Sequence, residues 1–178
     1  MMLPVVRVLL ERAETARYQL RGLLDVLPAD MLDWPDASGG WTVRTHAAHA
    51  LGTDRVITAF LSEGPGRDFA AFVASLPARR DESIATAAAA TLDVMLREAD
   101  AARMELAARF GMLGPADLAA SAVIPRPGHW PGQERTITLL EYLHVWSSHD
   151  GDHEQAIRRA IARRPDLSTI ALTQRLRR

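Results

Sequence analysis

Two of the chain's six histidines, His149 and His153, stand four residues apart in a segment with a helical pattern. Its apolar stripe runs Tyr142, Trp146, His149, His153, Ala156 and Ala160, in steps of three and four residues. That spacing puts both imidazoles on one helix face, one turn apart, where a bundle ordinarily places Leu or Ile. Burying two imidazoles without partners costs free energy. Either hydrogen bonds to a neighbouring helix satisfy them, or they bind one metal ion. His49 is the natural third member, because it lies on the apolar side of another helix beside Val56 and Phe60. Three neutral imidazoles leave coordination positions open, the arrangement of a reactive rather than a structural metal site. His46 precedes His49 by one turn and could take its place. On the residues alone, core histidines and metal ligands both remain open.

Other residues are candidates for supporting roles. Asp152 flanks the histidine stripe and could orient an imidazole through its second nitrogen; a solvated acid on a helix flank is the plainer alternative. Asp54 interrupts an apolar row between Ala50 and Ile57, and a carboxylate there wants an Arg or His partner. His129 lies in the Gly- and Pro-rich segment 112–135 and could reach a pocket mouth. Tyr142 and Trp146 are candidate pocket walls. His144 falls about 140° around the helix from His149, on the surface or at a subunit contact. No H-E-x-x-H, P-loop, G-x-S-x-G or dinucleotide glycine fingerprint occurs. The chain contains no cysteine, which excludes disulfides, thiolate ligands and a Cys nucleophile.

Four amphipathic helices are expected to position these residues. The first carries Leu9, Ala13, Ala16, Leu20, Leu23 and Leu27 on one stripe, with Pro4 in its first turn and Pro28 as its stop. The second starts after Thr42 as N-cap and runs to about Ser62, before Gly64-Pro65-Gly66. A third is predicted from near Asp81 to Gly111. The fourth opens with Thr138-Leu-Leu-Glu141, in the form of a capping box, and continues to Arg164. Segment 112–135 reads as a long loop, with Ser121 to Ile124 at most a short extended piece, and loops of that length are often functional. No strand is convincing, so the fold class is all-α, an up-and-down four-helix bundle in one domain over residues 1–178. A small patch of Ala48, Gly52 and Ala59 could accept a partner helix.

Composition sets the outer limits. The 178 residues are 48% hydrophobic and 24% charged with a net charge of −1, ordinary for a soluble globular protein. All 21 basic residues are Arg, yet the balance with 22 acids leaves no electrostatic footprint for nucleic acid or an anionic membrane. No run is long and apolar enough for a membrane span, and the opening residues make a poor signal peptide. A cytoplasmic location is expected.

Two stretches carry a family resemblance. Residues 24–51, LDVLPADMLDWPDASGGWTVRTHAAHAL, resemble the DinB/YfiT-like superfamily, in which a Trp-Ser/Thr-Val-Arg helix start is followed by a His. Residues 135–157, RTITLLEYLHVWSSHDGDHEQAI, resemble that family's fourth helix with its His-x-x-x-His pair. The resemblance implies a metal triad at His49, His149 and His153 and a divalent ion such as zinc or nickel. It further implies a frequent homodimer, and in some members the use of a low-molecular-weight thiol of the mycothiol, bacillithiol or glutathione type. Two positions depart from the family pattern: His46 stands where an aliphatic residue is usual, and Ala50 replaces a usual Leu.

Three functions follow as alternatives. The first is a thiol S-transferase acting on a small-molecule substrate, with the thiol supplied from outside because the chain has no Cys. The second is a metal-dependent hydrolase, for which Asp54 and Asp152 are the only candidate bases. The third is a non-catalytic metal-binding or stress-related helical protein.

Overall fold

The computed structural model describes residues 2–36, 39–64, 66–125 and 134–163. Its elements, in chain order, are α1 (Pro4–Leu24), a 3-10 turn (Ala29–Met31), α2 (Val43–Ser62), α3 (Phe69–Ala88), α4 (Leu92–Phe110), α5 (Pro115–Ala119), β1 (Ser121–Pro125), β2 (Glu134–Thr138) and α6 (Leu139–Ala162). Local sequence explains most boundaries. Pro4 occupies the first turn of α1, and Thr42 caps α2 by accepting from the Thr45 amide at 3.2 Å. The capping box at the start of α6 forms in full: the Glu141 amide donates to Thr138 Oγ1, and the Thr138 amide donates to the Glu141 carboxylate.

Four helices, α1, α2, α4 and α6, form the bundle, in the order α1–α6–α2–α4 around its axis. The first two helices in sequence therefore face each other across the core. A fifth long helix, α3, lies outside this ring against α2.

The structure corrects two expectations. The third helix, predicted from near Asp81 to Gly111, is two helices. Thr91 accepts from the Val94 amide and starts α4, while Asp68 accepts from the Ala71 amide and starts α3 far upstream of Asp81. Helix α3 retains Pro77 in its interior, where proline removes one backbone donor. Within the patch of Ala48, Gly52 and Ala59, Gly52 has no Cβ and admits Ser83 of α3 close against α2, while Ala59 stays exposed. Finally, segment 112–135 holds α5 and the strand β1, which pairs antiparallel with β2 from Ser121↔Thr138 to Pro125↔Glu134. His129 and the Arg164 end of the fourth helix lie outside the described residues. Among the described residues, no helix is long and apolar enough to cross a membrane.

The core consists of two apolar halves. One gathers Leu9, Ile57, Phe60, Leu106, Phe110 and Leu143; the other gathers Leu20, Leu24, Ala47, Leu51, Met95 and Ile157. Between them lies a layer of buried charge with one residue from each bundle helix: Arg17, Asp54, Arg103 and Asp150. Arg17 donates to Asp150 at 2.7 Å and to Asp54 at 3.1 Å. Arg103 donates to Asp54 at 2.7 and 3.3 Å and to Asp150 at 3.2 Å. Trp146 Nε1 adds a bond to the second Asp54 oxygen at 3.0 Å. Two guanidinium groups thus balance two carboxylates, as burial requires. Burial opposes the charge on Arg17, but Asp150 and Asp54 outweigh it and raise its pKa.

Removing one member of such a set strands the opposite charge, at a cost of about 3–5 kcal/mol. Asp54→Ala is therefore expected to lower the unfolding free energy by about that amount in urea denaturation. A loss below about 1 kcal/mol, the scale of a surface ion pair, would contradict the account of this layer.

Candidate metal centre

The site is assembled at the N-terminal half of α2 and the middle of α6. His46 and His49 stand one turn apart on α2, and His149 and His153 one turn apart on α6. The charge layer fixes how these two helices sit beside each other. Asp54 follows His49 by five residues, Asp150 directly follows His149, and both carboxylates are held by the same two arginines.

The Nε2 atoms of His49, His149 and His153 converge. His149 Nε2 lies 3.2 Å from His49 Nε2 and 3.2 Å from His153 Nε2, and all three ligand atoms fall within 4.8 Å of one another. A divalent ion holding nitrogens about 2.0–2.1 Å away in a tetrahedral arrangement sets them about 3.3 Å apart, so these separations fit a shared ion. The donor chemistry fits as well. Burial, then repulsion from His149, Arg80 and His46, lowers the His49 pKa to about 4. Burial, then the other three imidazoles, lowers that of His153 to about 2. Burial also lowers His149, against the pull of Asp150. All three are neutral at pH 7, the form in which imidazole donates to a metal.

A third observation concerns the far side of His149. Its Nδ1 is buried without a hydrogen-bond partner, with Asp150 Oδ1 4.0 Å away. A carboxylate on that side favours the tautomer that carries hydrogen on Nδ1 and leaves the Nε2 lone pair pointing into the cluster.

One side of the cluster is walled by the segment before α2. Pro35 and Thr42 form an antiparallel bridge, and the Asp36 amide donates to the Trp41 carbonyl at 2.7 Å. Trp41 is thereby laid over the histidines, stacked on His153 at 5.8 Å and set edge-on to His49 at 5.3 Å. The other side opens into a cleft of about 300 Å³, whose lining includes His49, Thr53, Arg80, Tyr142, Trp146 and His149. Its remaining walls are mostly apolar, among them Leu76 and Pro77 of α3, and no carboxylate lines it among the described residues. Burial pushes the Tyr142 phenol above its ordinary pKa, so it stays a neutral hydroxyl.

The sequence-derived candidates separate clearly against this geometry. His49, His149 and His153 come together, and Tyr142 and Trp146 line the adjoining cleft. His46 is outside the converging set and touches His153 from behind, Nδ1 to Nδ1 at 2.9 Å. Asp54 is fully buried in the charge layer instead of lining the cleft. Asp152 is exposed to solvent, and His144 is exposed on the opposite flank. Sequence reasoning missed Trp41, Asp36 and Arg80. The first two reach the site through a loop, and Arg80 through α3, which had not been anticipated.

The family model of the DinB superfamily matches residues 12–157, and the chain belongs to that superfamily. No curated protein matches it in sequence. Among solved structures it is similar to YfiT from Bacillus subtilis, at 16% identity and a TM-score of 0.64, over 89% of this chain and 86% of that one. YfiT is described as a probable metal-dependent hydrolase with an unusual four-helix bundle topology. At that identity the likeness establishes a shared fold.

The lowered histidine pKa values set a pH dependence. Below about pH 6.5 the unfolded chain protonates His49 and His153 while the folded chain keeps them neutral, so protons favour unfolding. The histidine contribution to stability is complete above pH 6.5 and declines as pH falls towards about 4, where His49 also takes up a proton in the folded state. The urea midpoint of metal-free protein is expected to fall between pH 7 and pH 4.5, with a shallower fall in His49→Leu/His153→Leu. Equal slopes in the two proteins would remove the histidines as the cause.

Proposed function

We propose that the chain is a metal-dependent enzyme of the S-transferase type, using a low-molecular-weight thiol as nucleophile. The observation that carries this reading is the convergence of three neutral imidazoles at the edge of an apolar cleft whose described lining has no carboxylate. A zinc or nickel ion held by His49, His149 and His153 would supply Lewis acidity and lower the pKa of a thiol brought to it. The nucleophilic sulfur comes from a small molecule, since the chain has no cysteine.

The residues around the cleft have definable tasks. Leu76, Pro77, Val145 and Trp146 exclude water and give an electrophile an apolar seat. Tyr142 keeps its proton and can donate it in a hydrogen bond. Arg80, on the cleft wall beside His49, suits an anionic group on thiol or substrate. In the transfer, the sulfur forms a bond to the electrophilic carbon and the leaving group departs with the bonding pair. The thiol proton passes to solvent or to that leaving group.

A hydrolase is the second reading, and the likeness to YfiT favours it. Against it, the two carboxylates considered as bases are unavailable: Asp54 is locked between Arg17 and Arg103, and Asp152 faces solvent. A non-catalytic helical protein is the third, and it requires no turnover with any partner.

The test begins with metal content by elemental mass spectrometry, on untagged protein purified without chelator. About one divalent ion per chain is expected, absent from His149→Ala/His153→Ala. Loaded protein is then assayed on a panel of electrophiles with and without added thiol. Turnover that requires both metal and thiol, and that weakens in Arg80→Ala when thiol or substrate is anionic, supports the proposal. Thiol-independent cleavage moves the assignment to a hydrolase. A protein that takes up no zinc or nickel is a scaffold of hydrogen-bonded histidines.

A further inference from the structure

His46 and Asp36 together form a hydrogen-bonded path that ends on a proposed ligand. His46 Nδ1 lies 2.9 Å from His153 Nδ1, and His46 Nε2 lies 3.2 Å from Asp36 Oδ2. Both residues are shielded, with side chains 9% and 17% exposed respectively. Trp41 packs on the same two imidazoles, 5.0 Å from His46 and 5.8 Å from His153.

A carboxylate only accepts hydrogen bonds, so the His46 nitrogen facing Asp36 must carry the proton. In neutral His46 the other nitrogen, Nδ1, is then an acceptor. His153 Nδ1 must therefore be the donor across the 2.9 Å contact. With hydrogen on Nδ1, neutral His153 has its lone pair on Nε2, the atom that joins His49 and His149 in the cluster. The reverse assignment would place a lone pair of His46 against the Asp36 carboxylate and hydrogen on His153 Nε2, leaving that atom unable to bind an ion.

We infer that Asp36 and His46 are positioning residues: through a directed chain of two hydrogen bonds they hold His153 in the one tautomer that can ligate a divalent cation. This rests on the metal reading for its use, but the tautomer itself is a property of the metal-free protein. Carboxylate and imidazole partners of this kind typically govern metal affinity by about 10–100-fold.

Two measurements test it. Long-range proton–nitrogen NMR on metal-free protein is expected to show His153 with hydrogen on Nδ1, and to show loss of that preference in His46→Leu. Zinc affinity, by competition with a chromophoric chelator, is expected to weaken about 10–100-fold in His46→Leu and by about tenfold in Asp36→Ala. His46→Asn puts an amide oxygen where Nδ1 stood and is expected to recover most of the affinity. Asp36 lies outside both halves of the apolar core, so its variant remains informative if His46→Leu folds poorly. Finding His153 with hydrogen on Nε2, or zinc affinity unchanged in both His46→Leu and Asp36→Ala, would overturn the inference. A parent that binds no zinc but shows hydrogen on Nδ1 of His153 would sink the metal reading and leave the chain of hydrogen bonds established.

Discussion

The buried set of Arg17, Asp54, Arg103 and Asp150 is the constraint on which the rest of the structure depends. Apolar side chains can slide past one another by part of a turn and still find contacts. A buried guanidinium cannot leave its carboxylate without a large desolvation cost. One charged residue comes from each bundle helix, so the layer ties the axial position of all four at one level. Sliding any of them by one turn, about 5.4 Å, would leave a charge unpaired in the core. An all-apolar layer of equal volume could match its stability, but would leave the helices freer to choose among registers.

That register is what creates the histidine cluster. His149 is the neighbour of Asp150, and the Ala50 carbonyl next to His49 accepts from Arg17 at 3.5 Å. Once Asp54 and Asp150 share the same arginines, His49 on α2 and His149 and His153 on α6, each within five residues of its helix's carboxylate, are held within reach of one another. The 3.2 Å contacts among the Nε2 atoms follow from the ionic layer as much as from the histidines themselves. Helix α3 then shapes the entrance. Its close approach at Gly52 and Ser83 lets Leu76, Pro77 and Arg80 form a wall of the cleft.

Much of this was legible in the sequence, for physical reasons that also mark where it stopped. The stripes on α1 and α2 have clean helical periods, caps and breakers and could be read directly; on α6 the buried stripe runs through Leu143, Trp146, Asp150 and Ile157, which leaves His149 and His153 half-buried at its edge instead of on it. Asp54 reads as a carboxylate on an apolar row in need of a partner. The same signal exists on the other three bundle helices: Arg17 falls between Ala13 and Leu20, Arg103 between Ala99 and Leu106, Asp150 between Trp146 and Ile157. Each spacing is three, four or seven residues, and four buried charges of balanced sign would have predicted the layer. Helix α3 was hidden because Pro77 interrupts its pattern and its boundary with α4 depends on a single threonine cap. The β1–β2 pair joins segments whose contact is not local, so a short polar strand such as Glu134–Thr138 has no signature of its own. Asp36 and Trp41 belong to a turn whose path is set by backbone bonds between residues 32–36 and 41–44, which no helical or strand period announces.

Two carboxylates stand behind the cluster, on the outer side of its imidazoles. Three imidazoles with converging Nε2 atoms would each need a partner on the outer ring nitrogen to fix a tautomer. Asp36 acts on His153 through His46, and Asp150 stands behind His149 at 4.0 Å. Both push hydrogen outward and lone pairs inward, so the two inner nitrogens 3.2 Å apart repel unless a positive charge lies between them. The fold accepts that repulsion because the ionic layer has already fixed α2 and α6. A hydrogen-bonded core would have settled into complementary donor and acceptor pairs. This arrangement instead concentrates lone-pair density at one point beside an open cleft, which is the electrostatic condition for holding a cation.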